Sequence, residues 1–156
     1  MLQNSCSSIS SAFSASLRFK NLWETLISDL NAITEVVIGA AIEVHRRLGP
    51  GLLETAYRKC LAYELRKRGL EVTEEHPIPV IYDDVHLECG FRADLLVAGE
   101  VVVELKAKSA IHPVDKAQTL SHLRLMDLQV GLLINFHEVK LVDGLQRIVN
   151  KFNDLP

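Results

Sequence analysis

The chain has 156 residues, 48% of them hydrophobic and 24% charged, with a formal net charge of −3. These values suit one globular domain with its own core and exclude a globally basic surface, so any contact with nucleic acid must be local. The scattered Cys6, Cys60 and Cys89 make neither a CxxC pair nor a zinc spacing, which points to a reducing, cytoplasmic setting, and no apolar run reaches the roughly 18 residues of a membrane span.

Residues 1–27 are rich in serine, and Arg18 and Lys20 are their only charges before Glu24. The stretch is too polar for a secretory signal. It reads as a disordered or partly helical extension or an over-long start, with an organelle transit peptide as the alternative. Residues 28–156 read as one domain. The first helix is predicted from Asn31 to Leu48, because Ile33, Val36, Val37, Ala40, Ala41, Val44 and Leu48 follow the 3.6-residue period. Ser28 or Asp29 is the candidate cap, and Gly49-Pro50-Gly51 breaks the helix.

A second helix is predicted over Leu52–Arg68, stopped by Gly69. Glu54, Tyr57, Leu61 and Leu65 fall on one stripe, so an acid points with the apolar face. An acid in a first helical turn is also what the macrodipole favours, and both readings of Glu54 stay open. Arg58, Lys59, Arg66, Lys67 and Arg68 are assigned to the outer face, as a solvated surface or a local basic patch for nucleic acid.

Three strands follow. Glu71–Ile81 contains Pro77 and Pro79, which suit an edge or irregular strand. Asp83-Asp84 turns into a second strand, Val85–Val97. The third, Val101–Ala107, begins with three valines and should be covered on both faces. Pro113 opens a helix to Met126, with Val114, Gln118, Ser121 and Leu125 on one stripe and His122 beside it. Gln118 is either a core amide or a site residue. Gln129–Phe136 is a buried strand. Asp143-Gly144 should join Lys140–Val142 to Leu145–Val149 as a small hairpin, with a helix from Leu145 as the alternative. The order implies an α/β domain with a mixed sheet flanked by helices.

The strands on either side of Ala98-Gly99-Glu100 carry the chemistry. Alternation sets Val102, Glu104 and Lys106 on one face, and the turn returns Asp94 towards Glu104. Two acids in apolar surroundings repel, and one cation from Lys106 does not neutralise both. A divalent ion with oxygen ligands, Mg²⁺ or Mn²⁺, would complete the balance. The competing reading is a Glu104–Lys106 pair at a strand end, with Asp94 as a turn former. The six histidines, scattered without a nucleophile nearby, read as surface or cap residues.

Asp94 followed by Glu104-Leu105-Lys106 resembles the signature of the PD-(D/E)XK nuclease superfamily. Gly51-Leu-Leu-Glu54-Thr-Ala-Tyr57 resembles the motif that names the GxxExxY family within it. Ile38–His45, Phe91–Leu96 and Leu132–Phe136 fit the same family, and the likeness covers Ile33–Asn150. The resemblance implies an αβββαβ core with a four-stranded mixed sheet, preceded here by an extra helix. It implies a Mg²⁺-dependent nuclease acting on nucleic acid, with DNA as the expected partner. Asp94 and Glu104 take the metal-ligand roles, Lys106 the lysine role, and Glu54 that of an acid from the preceding helix, completing the metal site or binding a second ion. Gln118 matches the glutamine that related nucleases place four residues before a tyrosine; His122 stands where that tyrosine would be. Two other functions compete: a catalytically silent nucleic-acid-binding module using the basic residues of the second helix, and a protein-interaction or homodimerising subunit.

Overall fold

The computed structural model describes residues 29–150. The expectations for residues 1–27 and for a Ser28 cap lie outside them. The chain divides into the units Met1–Ala32 and Ile33–Pro156, the second holding the whole sheet. Helix α1 covers residues 29–48 of the described chain, with Val37, Ala40, Ala41 and Val44 buried at the expected spacing. No helix among the described residues is long and apolar enough to cross a membrane.

Helix α2 runs Glu54–Lys67 and buries Tyr57, Leu61 and Leu65 completely. Its end follows from one residue. Gly69 takes φ +85°, and the amides of Gly69 and Leu70 then reach back to the carbonyls of Arg66 and Leu65. This paired closure satisfies carbonyls that the helix would leave open, at a conformation that glycine adopts without a Cβ penalty. At the other end the Tyr57 hydroxyl donates to the Gly49 carbonyl at 2.6 Å and accepts from the Leu52 amide at 3.0 Å, while its ring stacks on Phe136 at 4.4 Å. Tyr57 therefore fastens the Gly49–Leu52 turn that sets where Glu54 begins α2.

The sheet has five strands in the order β1-β2-β3-β4-β5: β1 Val72–Tyr82, β2 Val85–Val97, β3 Val101–Lys106, β4 Val130–Asn135 and β5 Leu145–Val149. Only β3 and β4 are parallel, joined by the crossover helix α3, Pro113–Leu125. As expected from its prolines, β1 is an edge strand with a register shift between Ile78 and Val80. At that irregularity a Cβ on Gly90 would lie 2.4 Å from Val80 Cγ2, so the close approach of the strands needs glycine. Val101 through Leu105 are all buried, as a strand covered on both faces requires. On the α3 side, Ile78, Ala93, Val102 and Leu123 form a buried cluster.

Three expectations are corrected. Lys140–Val142 is not a strand: Leu141–Gly144 is a 3₁₀ turn, and Leu145–Val149 pairs antiparallel with β4 as a fifth strand. The ladder with β4, from Ile134↔Leu145 to Val130↔Val149, gives the backbone groups of this stretch their partners. The buried face of α3 is Asp115, Thr119, His122 and Leu123, while Val114 is 69% and Leu125 40% exposed. Polar groups line this face because they bond inward: Asp115 accepts from the Lys108 ammonium at 2.6 Å and from the His112 amide at 2.7 Å. Finally, His45 and His122 are not surface residues; both are buried, and His45 donates Nε2–H to the Glu138 carbonyl at 2.8 Å.

Candidate active site

The ladder between β2 and β3 is short. Its partner pairs are Val97↔Val101, Leu96↔Val102 and Leu95↔Val103. The turn that closes it has Ala98 and Gly99 both at positive φ, with the Glu100 amide bonded to the Val97 carbonyl at 3.0 Å, the left-handed geometry that matches strand twist. Beyond Leu95 a side chain replaces the ladder: Asp94 Oδ2 accepts the backbone N–H of Leu105 at 2.9 Å. This single bond fixes the Asp94 carboxylate against the strand that carries Glu104 and Lys106.

Glu104 is 2% exposed. Its two oxygens have different partners. His122 Nδ1–H donates to Oε1 at 2.7 Å, and Lys106 Nζ lies 3.7 Å from Oε2. Strand alternation accounts for this, since Val102, Glu104 and Lys106 share the face that α3 covers. His122 is wholly buried, its ring 5.4 Å from that of Phe91, and its Nε2 has no hydrogen-bond partner among the described residues.

Asp94 is approached from α2. Arg58 NH1 lies 3.7 Å from Asp94 Oδ1, and Arg58 NH2 lies 3.3 Å from Glu75 Oε2. Burial pushes the Asp94 carboxyl up from 3.8 to about 6, and the nearby Glu104 and Glu54 charges add to the rise. The Leu105 N–H and the Lys106 charge oppose it without cancelling it. The site is thus a set of three interacting acids whose cations do not fully compensate them.

The sequence-derived residues divide accordingly. Asp94, Glu104 and Lys106 come together, and Glu54 is near enough to act on Asp94 through its charge. Gln118 is half-buried, one turn before His122, and among the described residues no hydrogen bond joins it to Asp94, Glu104 or Lys106. The outer-face assignment holds for Lys59, Arg66, Lys67 and Arg68 but not for Arg58, whose side chain is 13% exposed and turns to the acids. Of the outer four, Lys59 and Arg66 both pair with Glu74, at 2.8 and 3.0 Å, and Arg68 pairs with Glu64 at 3.2 Å. The Lys59 ammonium beside Glu74 holds that carboxyl below its usual range.

Two contributors were given other places by the sequence reading, Arg58 on the outer face of α2 and His122 as a surface or cap histidine at the family's tyrosine position. Arg58 follows Tyr57 by one position, so it borders the buried stripe of α2; that angle, rather than the run of charges, was the available signal. His122 follows Asp115 and Thr119 at spacings of seven and three, a helical stripe hidden because its members are polar.

Among the described residues, no three His, Cys, Asp or Glu side chains form a group that could hold a metal ion by themselves. Asp94 and Glu104 nonetheless suit a hard divalent cation. Both offer carboxylate oxygens, their mutual charge is under-compensated, and an ion of the magnesium type keeps several waters and needs only one or two protein carboxylates.

No curated protein and no solved structure matches this chain. A family model described as the PD-(D/E)XK nuclease superfamily matches residues 31–148, which takes in most of α1, both carboxylates, the lysine and most of β5. The match spans three quarters of the sequence and coincides with the αβββαβ order just described, so the chain belongs to the PD-(D/E)XK nuclease superfamily.

Proposed function

We propose that the protein is a Mg²⁺- or Mn²⁺-dependent nuclease of the GxxExxY type that hydrolyses phosphodiester bonds of nucleic acid, DNA in the first instance, in the cytoplasm. The observation that carries this reading is the Asp94 carboxylate held at 2.9 Å by the Leu105 amide, on the strand that bears the buried Glu104 and its neighbour Lys106, and the raised Asp94 carboxyl agrees with it. A protein does not crowd buried acids without an energetic cost, and a cation-binding role is the use that repays it.

In this reading Asp94 and Glu104 hold the cation, which when bound would activate a water and offset charge on a phosphate oxygen. The chain's own residues do the rest. The Leu105 amide fixes one Asp94 oxygen, and the other faces Arg58 at 3.7 Å, a contact that must loosen for a cation to bind there. His122 fixes Glu104 Oε1, leaving Oε2 on the side of Lys106. Lys106 positions the attacking water or stabilises the negative charge developing on the phosphate. Glu54 keeps the local field negative until a cation arrives. Gly51, Glu54 and Tyr57 support the GxxExxY assignment through the α2 entry that Tyr57 fastens. Gln118, one turn from His122, is assigned to substrate positioning. The exposed Lys59, Arg66, Lys67 and Arg68 are assigned to backbone phosphates, a role in which the Glu74 and Glu64 pairs must yield.

The test is cleavage of labelled DNA and RNA with Mg²⁺ or Mn²⁺ by wild type, Asp94→Ala and Glu104→Ala. Cleavage by wild type that falls to background in both variants supports the assignment; equal activity in all three rejects it. A second readout is the thermal midpoint. Metal at about 100 times its dissociation constant should stabilise the wild type by about 2.7 kcal/mol and leave Asp94→Ala unmoved. Salt-sensitive binding without cleavage by any form would point to a silent nucleic-acid module instead.

A further inference from the structure

The long hairpin of β1 and β2 reaches past the rest of the sheet. β3 pairs with β2 only at Leu95–Val97, and every residue from Ile81 to Arg92 is exposed. This arm is therefore a two-stranded ribbon with both edges unpaired, an arrangement that is marginal in water when no other layer covers it.

Its side chains are not those of a solvated ribbon. The register pairs Val80 with Leu87 and Tyr82 with Val85, and partners in a ladder project from the same face. Alternation along β1 puts Ile78 on that face too, opposite Phe91. The result is one apolar stripe. It starts at Ile78, which is buried in the cluster with Leu123, and continues outwards through Phe91, Val80, Leu87, Val85 and Tyr82. Tyr82 is 73% exposed, Val85 53%, Leu87 51% and Phe91 42%. A face that begins in the core and runs into solvent without a change of character is a face built to be covered.

We infer that the arm is the interface of a homodimer, in which the apolar stripe of one copy packs against that of a second. The charges argue against a nucleic-acid occupant, because Asp83 and Asp84 stand at the tip and Glu88 lies on the arm. They also select the arrangement. Arg92 stands at the root, 57% exposed, its nearest acid Glu75 3.9 Å away. A two-fold pairing with the arms antiparallel brings each acidic tip to the other copy's root, so one stripe serves both partners. The area fits a weak dimer. Exposed aromatic and aliphatic side chains of this size offer about 450 Å² per copy, and a pair buries about 1,000 Å² with the flanking backbone, the lower bound for a specific contact.

Sedimentation of the full chain between about 1 and 200 µM should show a reversible monomer–dimer equilibrium with a dissociation constant in the micromolar range. Leu87→Lys and Tyr82→Ser, both at exposed positions, should weaken it at least tenfold while leaving the far-ultraviolet circular dichroism and the thermal midpoint of the monomer unchanged. A chain that stays monomeric throughout overturns the inference. So does a dimer that both variants leave intact. A monomeric wild type whose retention of DNA is lost in the same variants would assign the stripe to nucleic acid. None of these outcomes depends on cleavage, so failure here and failure of the nuclease reading are separately visible.

Discussion

Replacing Asp94 with Asn should stabilise the metal-free protein at neutral pH, although it removes a proposed metal ligand. The Asp94 carboxyl rises from 3.8 to about 6 on folding, chiefly through burial and then through the Glu104 and Glu54 charges. The folded state therefore holds this proton more tightly than the unfolded chain does. Stability attached to the proton is fully present below pH 4 and is lost as pH rises through 6. A rise of that size corresponds to about 3 kcal/mol at pH 8, and partial solvent access reduces the effect to about 2 kcal/mol. Asn keeps an oxygen able to accept the Leu105 amide and carries no charge for Glu104 and Glu54 to repel. It gives up the 3.7 Å approach of Arg58, which retains Glu75 at 3.3 Å. Denaturant unfolding in chelator at pH 5 and pH 8 measures the effect. Asp94→Asn should exceed wild type by about 2 kcal/mol at pH 8 and by about half as much at pH 5. A variant less stable than wild type at pH 8, or a difference that does not change with pH, would refute the account of the site as under-compensated acids.

Two further substitutions test the supports of the site. His122→Ala removes the Nδ1–H bond to a carboxylate that is 2% exposed, and should cost about 3 kcal/mol in denaturant unfolding because a buried charge loses its partner; His122→Gln, which can still donate, should recover part of the loss. Tyr57→Phe keeps the stacking on Phe136 but deletes the bonds to Gly49 and Leu52. It should cost about 1–2 kcal/mol and, by loosening the α2 entry, should lower the metal affinity measured by calorimetry.

Much of the fold was legible because local rules and burial agreed. Val85–Val97 was bounded correctly at both ends, since Asp83-Asp84 and Ala98-Gly99 are turn formers at the right spacing. The Val101–Val103 run announced a strand covered on both faces. Asp94, Glu104 and Lys106 were legible as a group because a period of two and a short turn fix their neighbourhood. What stayed hidden depends on contacts distant in sequence. Arg58 meets Asp94 and Glu75 only after α2 has docked on the sheet, so the neighbouring charges in the chain suggested the wrong face. His122 is separated from Glu104 by the whole β3–α3 connection, and an apolar stripe search on α3 favoured Val114 and Leu125, which face solvent. The fifth strand was misjudged for the same reason: Leu145–Val149 finds its partner in β4 rather than beside the turn that precedes it.

The bond between Asp94 and the Leu105 amide has a practical use. One main-chain proton lies in the wall of the site, held directly by the carboxylate whose ionisation matters most. Its resonance should therefore move with pH near the Asp94 transition and again when a cation claims the acid. The protein carries its own spectator nucleus, and titrating that single signal would read the charge state of the centre without any foreign label.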